Sequence, residues 1–592
     1  MPEASYDEAS RARWRTRTSI PGGSGPGGGE RGPRMILICM LVVFACVAAR
    51  LVYLQVIDAS ELSAAAQENR TNVVTLHAKR GTIYDRNGNV LAMSVDCETI
   101  YCNPQAVSNP SAIAEILADE LGGEVSDYTS TLTSDTTFAY IEKQVDTDIA
   151  DEIEQRLDDE DLEGVYFLDD TKRVYPYGDV GGQVLGVVGS EGSGITGLEY
   201  YYDDVLSGTD GQMTIETGAT GTPIAGGVSE IQEAQDGEDI VISIDISIQQ
   251  KAEEVIPEAA ETYNADSGSV VVMNPKTGEI YAMCSTPLAK ITDLSNTSSE
   301  SLQLKPVTSS YEPGSMFKVI TVSIGVELGL FDADTVYNVP AALLVGDDYV
   351  TDDDGRDYDM DMTVREILRR SSNPGAALLG QEVIGAERFS EGVAKFGIGQ
   401  LTGIDYPGES TGIVKSLDEY DGSTCGQMSF GQGLAVPMIQ IVRAFAAVAN
   451  DGIPNTPHFL ISKGGEEVDW PSGDRIISKE TADEVTDMMR TVMTEGTGQN
   501  GQVDGYDIAG KTGTGEQASE EGGYAENKYV SSLCGFANAD DPSVLVYVGL
   551  NGTPHLALSS AAPTFKEIMT EAVSDLGIAP STSSTSSTST SE

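Results

Sequence analysis

The chain is 592 residues long, more than one hydrophobic core usually organises, so two or three domains are expected. Apolar residues make up 40% of the chain and charged residues 22%, as in ordinary globular proteins, whereas 93 acidic against 35 basic residues leave a formal net charge of -58. Such a chain has no basic face to neutralise phosphates, which excludes nucleic acid as a partner.

The first two segments of the chain differ sharply in composition. Residues 1–34 are rich in glycine, proline and arginine and are predicted to form a disordered basic tail. An apolar run of 23 residues follows at 35–57, long enough as a helix to cross a bilayer. Arginines on its N-terminal side favour a cytoplasmic N-terminus, so everything after residue 57 is expected on the outer side of the membrane.

Two other interpretations of the apolar run are weaker. A cleaved signal peptide could end at the small residues Ala48 and Ala49, and a lipoprotein signal could end at Cys46. However, Phe44 fits poorly before a lipidated cysteine, and the apolar run continues beyond Arg50. The sequence therefore favours an uncleaved single transmembrane helix.

The rest of the chain is predicted to form two domains and a tail. Residues 58–244 mix short alternating stretches with acidic helical ones, which indicates an irregular α+β domain, here called the pedestal. Residues 245–576 form the second domain, which opens with an amphipathic helix followed by two strands around a turn at 274–278. Residues 577–592 are a Ser/Thr-rich stretch predicted to be disordered.

An S-x-x-K pattern, Ser315 to Lys318, opens a predicted helix in the second domain. Because Pro313 and Gly314 precede the serine, its hydroxyl should lie near a helix N-terminus, where free N–H groups stabilise developing negative charge. Lys318 is on the same helical face, three residues on. A serine hydroxyl needs a base, and a lysine can serve once burial or a neighbouring cation lowers its pKa.

Two further motifs follow in the same domain. S-x-N occupies residues 371–373 after a helical stretch, and by itself it is also typical of a capped turn. K-T-G occupies residues 511–513 in an extended context, where glycines permit close approach of a ligand. Each motif alone is weak, but their order within one domain of roughly 300 residues indicates a serine acyl-transfer site.

Metals and cofactors have little support in the sequence. The seven cysteines include no C-x-x-C pair, and three histidines leave few candidates for a metal site or a Ser-His-Asp triad. The acidic insert at 346–361 alternates aspartates but lacks the closing glutamate of a calcium-binding loop. We therefore expect no metal or cofactor, and a plain loop at 346–361.

The three motifs together resemble the penicillin-binding protein and serine β-lactamase superfamily. Further matches narrow the resemblance to high-molecular-mass class B penicillin-binding proteins, from about residue 50 to 575. They are Arg80-Gly81-Thr82-Ile83-Tyr84-Asp85-Arg86-Asn87-Gly88, Gly197-Leu198-Glu199, Tyr311-Glu312-Pro313-Gly314-Ser315, Ser429-Phe430-Gly431-Gln432-Gly433 and Gly535-Phe536.

This resemblance implies a role for each motif residue in cross-linking peptidoglycan. Ser315 would be acylated by the penultimate D-alanine of a stem peptide, with release of the terminal D-alanine. Lys318 would take the proton of Ser315, and Ser371 would relay a proton toward the leaving amine. Asn373 would hold the substrate's amide, and Lys511 would supply positive charge beside the site.

The same resemblance implies how the substrate is bound. Thr512 and Thr514, with Gly513 between them, would bind the substrate carboxylate. The N–H groups of Ser315 and Thr514 would form the oxyanion hole, in which each donor is worth about 3 kcal/mol in the transition state. An amine from a neighbouring stem peptide would then attack the acyl-enzyme.

The expected fold is α/β, with a penicillin-binding/serine β-lactamase-like transpeptidase domain, a mostly antiparallel sheet flanked by helices. An α+β pedestal of the non-catalytic dimerisation type and a single transmembrane helix precede it. The expected partners are peptidoglycan stem peptides on lipid-linked or nascent glycan, β-lactams, a polytopic membrane glycosyltransferase and other division proteins. The expected location is the bacterial cytoplasmic membrane, through residues 35–57.

Other functions remain open at this point. A D,D-carboxypeptidase, a β-lactamase or a membrane-bound β-lactam sensor shares the motifs, although no E-x-x-L-N element follows S-x-N. A non-catalytic scaffold of the division machinery is a second alternative. By sequence, Glu312 and Glu516 are the acids nearest the motifs, and neither resembles a water-activating base. The string at 80–88 and the modest length favour division over elongation.

Overall fold

The computed structural model describes most of the chain. The described residues are 31–57, 71–189, 191–217, 223–518 and 524–581. Almost all of the predicted N-terminal tail and most of the C-terminal tail therefore lie outside the described residues.

The regular elements are numbered in chain order. The strands are β1 (Thr71–Leu76), β2 (Ile83–Tyr84), β3 (Val90–Cys102), β4 (Ala139–Asp146), β5 (Val165–Val174), β6 (Gly211–Thr217), β7 (Pro223–Gln232), β8 (Ile240–Ile242), β9 (Ser267–Met273), β10 (Ile280–Ser285), β11 (Ser310–Tyr311), β12 (Val336–Val339), β13 (Ala342–Val345), β14 (Asp348–Thr351), β15 (Met360–Thr363), β16 (Val436–Pro437), β17 (Leu460–Lys463), β18 (Glu466–Glu467), β19 (Ile508–Ala518), β20 (Tyr524–Ala537) and β21 (Leu545–Thr553). The helices are α1 (Arg31–Val52), α2 (Pro110–Leu121), α3 (Val125–Leu132), α4 (Thr147–Asp159), α5 (Gly182–Leu185), α6 (Gly197–Tyr201), α7 (Asp203–Leu206), α8 (Ile246–Thr262), α9 (Lys305–Thr308), α10 (Lys318–Glu327), α11 (Val364–Arg370), α12 (Asn373–Leu378), α13 (Ala386–Lys395), α14 (Thr424–Ser429), α15 (Met438–Ala449), α16 (Lys479–Glu495) and α17 (Ala561–Asp575).

The chain divides into two units, and the smaller one consists of Met1–Val74 and Gln212–Ile231. Its helix α1 continues as a short π-helix, Tyr53–Ile57. The span 34–55 has a mean hydropathy of 2.8 and no residue of its most apolar window is buried. The predicted apolar segment is therefore one long helix, and it fits a single membrane anchor.

The pedestal region of the larger unit is a small α+β layer. Strand β3 pairs antiparallel with β4 on one side and β5 on the other. Helices α2 and α4 cover this sheet, because α4 buries Ala150, Ile153 and Leu157, which recur at helical spacing on one face. The predicted α+β character of this region is confirmed.

A mixed sheet connects the pedestal region to the second domain within the larger unit. Its strands run in the order β18-β17-β8-β2-β3-β4, with β5 attached to β3. Strand β8 is parallel to β2 and antiparallel to β17, so it pairs with strands from both sides of the predicted domain boundary at residue 244. The boundary itself stays a prediction.

A buried ion cluster holds the pedestal segments together. The Glu199 carboxylate is fully buried and lies 2.5 Å from Arg80 Nε and 2.7 Å from Arg173 Nε. Arg80 also contacts the Asp203 carboxylate at 2.6 Å. Two guanidinium groups thus depend on one buried acid, and breaking such a cluster leaves buried charge uncompensated.

We expect Glu199→Ala to destabilise the larger unit by about 3–5 kcal/mol, because Arg173 would lose the one buried counter-charge that the described residues give it. Thermal unfolding followed by fluorescence should show a midpoint lower by several degrees. Glu163→Ala removes an exposed acid of the same region and should leave the midpoint unchanged. An unchanged midpoint in Glu199→Ala would contradict this account of the cluster.

The second domain is built on a five-stranded antiparallel sheet in the order β10-β9-β21-β20-β19. Side chains of β9 alternate between its two faces: Val270 and Val272 pack in the core beneath α8 and α17, and Val271 and Met273 pack in the core that contains α10. Each fully buried side chain of this size contributes about 1.5–3 kcal/mol. The predicted antiparallel sheet with helices on both faces is confirmed.

Local sequence signals place the elements of this domain. Asp245 caps α8 by accepting a hydrogen bond from the Ser247 N–H at 3.1 Å. The turn between β9 and β10 is closed by a hydrogen bond from the Gly278 N–H to the Asn274 carbonyl, with Gly278 at φ +90°. Both the helix start at 245 and the turn at 274–278 are confirmed.

Candidate active site

Ser315 sits in a tight turn immediately before a buried helix. Residues Gly314–Phe317 form a 3-10 turn that continues directly into α10. Gly314 has φ +52°, and a side chain at this position would come within 2.9 Å of the Gly515 backbone. The turn that carries Ser315 therefore packs directly against β19, the strand that carries K-T-G.

Lys318 is held inside the core although it carries an amine. Helix α10 is buried over its first eight residues, and Lys318 is 1% exposed. Its Nζ lies 2.9 Å from Ser315 Oγ, 2.7 Å from Asn373 Oδ1 and 3.3 Å from Ser371 Oγ. The predicted contact between Lys318 and Ser315 is present in the structure.

The S-x-N motif connects two helices. Ser371 ends α11 in the left-handed conformation, with φ +61°, and Ser372 caps α12 by accepting a hydrogen bond from the Gly375 N–H at 3.2 Å. This sharp connection directs Ser371 and Asn373 toward Lys318. The motif is thus a capped turn as well as part of the site.

Lys511 approaches from the sheet. It lies on β19, the edge strand, and its fully buried Nζ is 3.0 Å from Ser371 Oγ. Ser371 therefore lies between the two lysines, within hydrogen-bond distance of each. The structure brings the five predicted catalytic residues together, through contacts between elements up to 140 residues apart in sequence.

The three predicted substrate-binding residues lie beside this cluster, on the same strand. Thr512 is buried and its Oγ1 lies 2.6 Å from Thr497 Oγ1, so part of its hydrogen-bonding capacity is already used. A side chain at Gly513 would come within 2.6 Å of the Met316 side chain and also meet Ser532, so none would fit, and Thr514 is half-buried. Their role in binding substrate stays a prediction.

The electrostatics favour a lysine that can act as a base. Burial lowers the pKa of Lys318 to about 7, while the carboxylates of Asp353 and Asp352 oppose this shift. Burial also lowers the pKa of Lys511, an effect that the charge of Lys318 strengthens and Asp353 opposes. Two buried amines so close together do not readily hold a proton each, so the pair is suited to moving one proton through Ser371.

We expect the rate of acylation by a β-lactam to rise with pH through about 7, the pKa to which burial lowers Lys318. Only the neutral amine can accept the Ser315 proton, and the neutral fraction increases about tenfold per pH unit below that pKa. Stopped-flow acylation rates measured across neutral pH would test this. A rate that does not change between pH 6 and pH 8 would contradict it.

A second glycine-rich turn supports the turn that carries Ser315. The Gly314 N–H donates to the Gly431 carbonyl at 3.0 Å, and the Gly433 N–H donates to Glu312 Oε1 at 3.0 Å. Thr321 on α10 donates to the Ser429 carbonyl at 2.8 Å. The segment 429–433 therefore contacts the chain before the turn that carries Ser315 and the helix after it.

The acidic insert at 346–361 contributes to the site, which the sequence analysis missed. The prediction of a plain loop is wrong, because β14 lies in the insert and pairs with β13, which immediately precedes it. Asp352 accepts hydrogen bonds from the Asn373 N–H at 2.9 Å and the Ser372 hydroxyl at 3.2 Å, and it pairs with buried Arg356 at 3.0 Å. The one sign of this contact in the sequence was a single arginine among the aspartates of the insert. A lone arginine that becomes buried needs a carboxylate as its partner.

Metal ligation finds no support in the part of the chain that the structure describes. No group of three or more histidine, cysteine, aspartate or glutamate side chains there could hold a metal ion. The Ser315 hydroxyl contacts Lys318 Nζ, Lys318 contacts Ser371 and Asn373, and Ser371 contacts Lys511. Such a chain of contacts is of the kind used for general-base activation of a serine and proton relay.

Comparisons with known protein families match two regions of the chain. Residues 268–570 match the family described as the penicillin binding protein transpeptidase domain. Residues 75–242 match the family described as the penicillin-binding protein dimerisation domain. The transpeptidase match contains all three motifs.

Curated relatives align over nearly the whole chain. Stage V sporulation protein D of Bacillus subtilis is 32% identical, over 92% of this chain and 86% of the relative. The probable peptidoglycan D,D-transpeptidase PenA of Neisseria gonorrhoeae is 32% identical, over 92% of this chain and 93% of the relative. Peptidoglycan D,D-transpeptidase FtsI of Escherichia coli is 27% identical, over 92% of this chain and 91% of the relative.

Solved structures are similar over the same region. A putative peptidoglycan glycosyltransferase from Atopobium parvulum is 47% identical with a TM-score of 0.69, over 86% of this chain and 100% of that chain. Penicillin binding protein 3 from Mycobacterium tuberculosis, solved in complex with aztreonam, is 28% identical with a TM-score of 0.67. The match covers 86% of this chain and 98% of that chain.

Proposed function

The chain belongs to the class B penicillin-binding proteins, the peptidoglycan D,D-transpeptidases, and from this membership we propose that Ser315 is its acylated nucleophile. The observation that carries the assignment is the distance of 2.9 Å between Ser315 Oγ and the Nζ of a lysine that is 1% exposed. A buried lysine of lowered pKa beside a serine hydroxyl is the pairing that this chemistry requires.

Acylation follows from these contacts. Neutral Lys318 takes the proton of Ser315 as Oγ attacks the carbonyl of the penultimate D-alanine. Ser371, between the two lysines, passes a proton to the departing amine, so the terminal D-alanine leaves with its nitrogen protonated. The C–N bond breaks, the Ser315 ester forms, and Lys318 is neutral again.

Lys511, Asn373 and the K-T-G strand bind and orient the substrate in this proposal. Asn373 holds the substrate's amide, and Thr512 and Thr514 bind its terminal carboxylate. The N–H groups of Ser315 and Thr514 stabilise the oxyanion. Supporting this, β19 is the last strand of its sheet, so alternate N–H groups point away from β20 and are available to a ligand.

An amine completes the reaction. It reaches the site as an ammonium with three protons on nitrogen, of which the new amide keeps one. Ser315 Oγ regains a second proton as the ester bond breaks, and Lys318 or the solvent takes the third. The enzyme is thereby regenerated, and two stem peptides are joined.

The membrane topology and the partners are further proposals. Arginines N-terminal to α1 favour a cytoplasmic N-terminus, which puts the catalytic domain outside the cytoplasmic membrane. A cross-linking enzyme of this type needs a glycan polymerase, so a polytopic membrane glycosyltransferase and other division proteins are the proposed partners. The similarity to stage V sporulation protein D and to FtsI supports the proposed role in division.

Transfer to an amine, rather than hydrolysis, is the expected outcome with a thioester donor and a D-amino acid acceptor. Glu312 accepts a hydrogen bond from the Gly433 N–H, and Asp352 is paired with Arg356, so neither is free to activate water. Chromatographic product analysis should show aminolysis product well above hydrolysis product. Rapid turnover of penicillin to penicilloate with little transfer would favour the carboxypeptidase or β-lactamase alternative.

A further inference from the structure

Asp353 lies at the edge of the active site without a basic partner. Its neighbours are each paired with an arginine: Asp352 with Arg356 at 3.0 Å, and Asp354 with Arg370 at 2.7 Å. Asp353 is exposed, and it forms no ion pair with any residue that the structure describes. Among the described residues, its carboxylate accepts one hydrogen bond, from Asn373 Nδ2 at 3.4 Å, which places it beside the S-x-N motif.

The charge of Asp353 acts on the reacting groups. Burial lowers the pKa values of Lys318 and Lys511, and the Asp353 carboxylate opposes the shift in both cases. Asn373 connects the two groups, because its Nδ2 donates to Asp353 while its Oδ1 lies 2.7 Å from Lys318 Nζ. The exposed carboxylate therefore lies one residue away from the buried amine of Lys318.

The surroundings of Asp353 carry the same sign of charge. The insert at 346–361 contains eight aspartates and one arginine, and that arginine is buried against Asp352. A wall so strongly negative attracts cations to the site and repels anions.

The two substrates of a transpeptidase differ in charge at their reacting ends. The donor brings a terminal carboxylate, which the proposed function assigns to the threonines of β19. The acceptor brings an amine that is protonated in neutral solution. Of the two substrates, only the acceptor brings a positive charge that an exposed carboxylate on the S-x-N side can attract.

We infer that Asp353 recognises the ammonium group of the acceptor and delivers it to the acyl-enzyme on Ser315. The inference rests on the proposed function and deepens it, because it identifies a residue that selects a cationic amine as second substrate. Asp353 holds the ammonium near Asn373 until neutral Lys318 removes a proton and frees the nitrogen for attack.

The test compares wild type with Asp353→Asn in the full-length protein, using a thioester donor and D-alanine as acceptor at low ionic strength. We expect the concentration of D-alanine that gives half-maximal transfer to rise about fivefold in the variant, as for loss of one partly exposed ion pair. Acylation by penicillin should change by less than about threefold, since the hydrogen bond to Asn373 can be kept by the amide oxygen.

Two comparisons separate charge recognition from other roles. Hydroxylamine is largely uncharged at neutral pH, so its capture of the acyl group should be equal in both proteins. High salt should raise the half-maximal D-alanine concentration of wild type toward that of the variant, because it screens the attraction. Asp357→Asn, which changes an exposed aspartate of the same loop, is the matched control and should behave as wild type.

Several results would overturn the inference. One is the same half-maximal D-alanine concentration in wild type and Asp353→Asn. Another is a rise in this concentration in Asp357→Asn as large as that in Asp353→Asn. A matching fall in penicillin acylation would show that Asp353 only positions Asn373, and a longer-lived penicilloyl-enzyme would show that it activates water. Failure of the proposed function is distinguishable, since wild type itself would then form no acyl-enzyme.

Discussion

Replacing Ser315 with alanine is expected to abolish covalent labelling by fluorescent penicillin while the protein stays folded. The substitution removes the only atom that can form the ester bond, so no residual labelling should remain. Loss of the hydrogen bond to Lys318 costs about 1 kcal/mol, too little to unfold the domain. Labelling in gels, with thermal unfolding measured on the same samples, checks both statements.

A matched control exists on the following helix. Ser323 is buried in α10 and donates its hydroxyl hydrogen bond to the Val319 carbonyl, away from the site. Ser323→Ala should therefore label like wild type. Persistent labelling of Ser315→Ala would mean that another residue is the nucleophile.

Replacing Lys318 with arginine should slow acylation by about 10²- to 10⁴-fold, the usual contribution of a general base. A guanidinium keeps the positive charge but does not lose its proton under these conditions, so it cannot accept the proton of Ser315. Second-order rate constants for acylation by penicillin measure the effect. The pH dependence through about 7, attributed to the lowered pKa of Lys318, should disappear as well.

Arginine is larger than lysine and Lys318 is fully enclosed, so Lys318→Arg could lose activity by misfolding. A second variant controls for this effect. Lys318→Ala should lose acylation to a similar extent, without the added bulk. Lys395→Arg changes an exposed lysine at the end of α13 and should have no effect. Acylation near the wild-type rate in folded Lys318→Arg would remove Lys318 from its role as base.

Contacts between residues that are close together in the sequence could be predicted from the sequence. Ser315 and Lys318 share one helical turn, so their spacing alone put the amine near the hydroxyl, and it lies at 2.9 Å. The helix capped by Asp245 and the turn closed by Gly278 were equally local. The anchor was predictable because a long apolar run has few alternatives.

Contacts between distant segments were not predictable in this way. Nothing in the sequence pairs Lys511 with Ser371, 140 residues apart, other than the family's motif order. Asp352 lies 21 residues before Asn373 in an insert that was predicted to be a plain loop. Its role depends on a hairpin that folds back onto the S-x-N turn, and tertiary packing of this kind leaves no periodic signal in the sequence.

The most direct test of the central claim is to identify the acyl-enzyme itself. The protein is mixed with a thioester donor that resembles the stem peptide, quenched with acid within seconds, digested and examined by mass spectrometry. We predict one modified peptide, which contains Ser315 and carries the mass of the donor's acyl group, and which disappears when D-alanine is added before the quench. An adduct on another residue, or product formation without any covalent species, would contradict the assignment of Ser315 as the nucleophile.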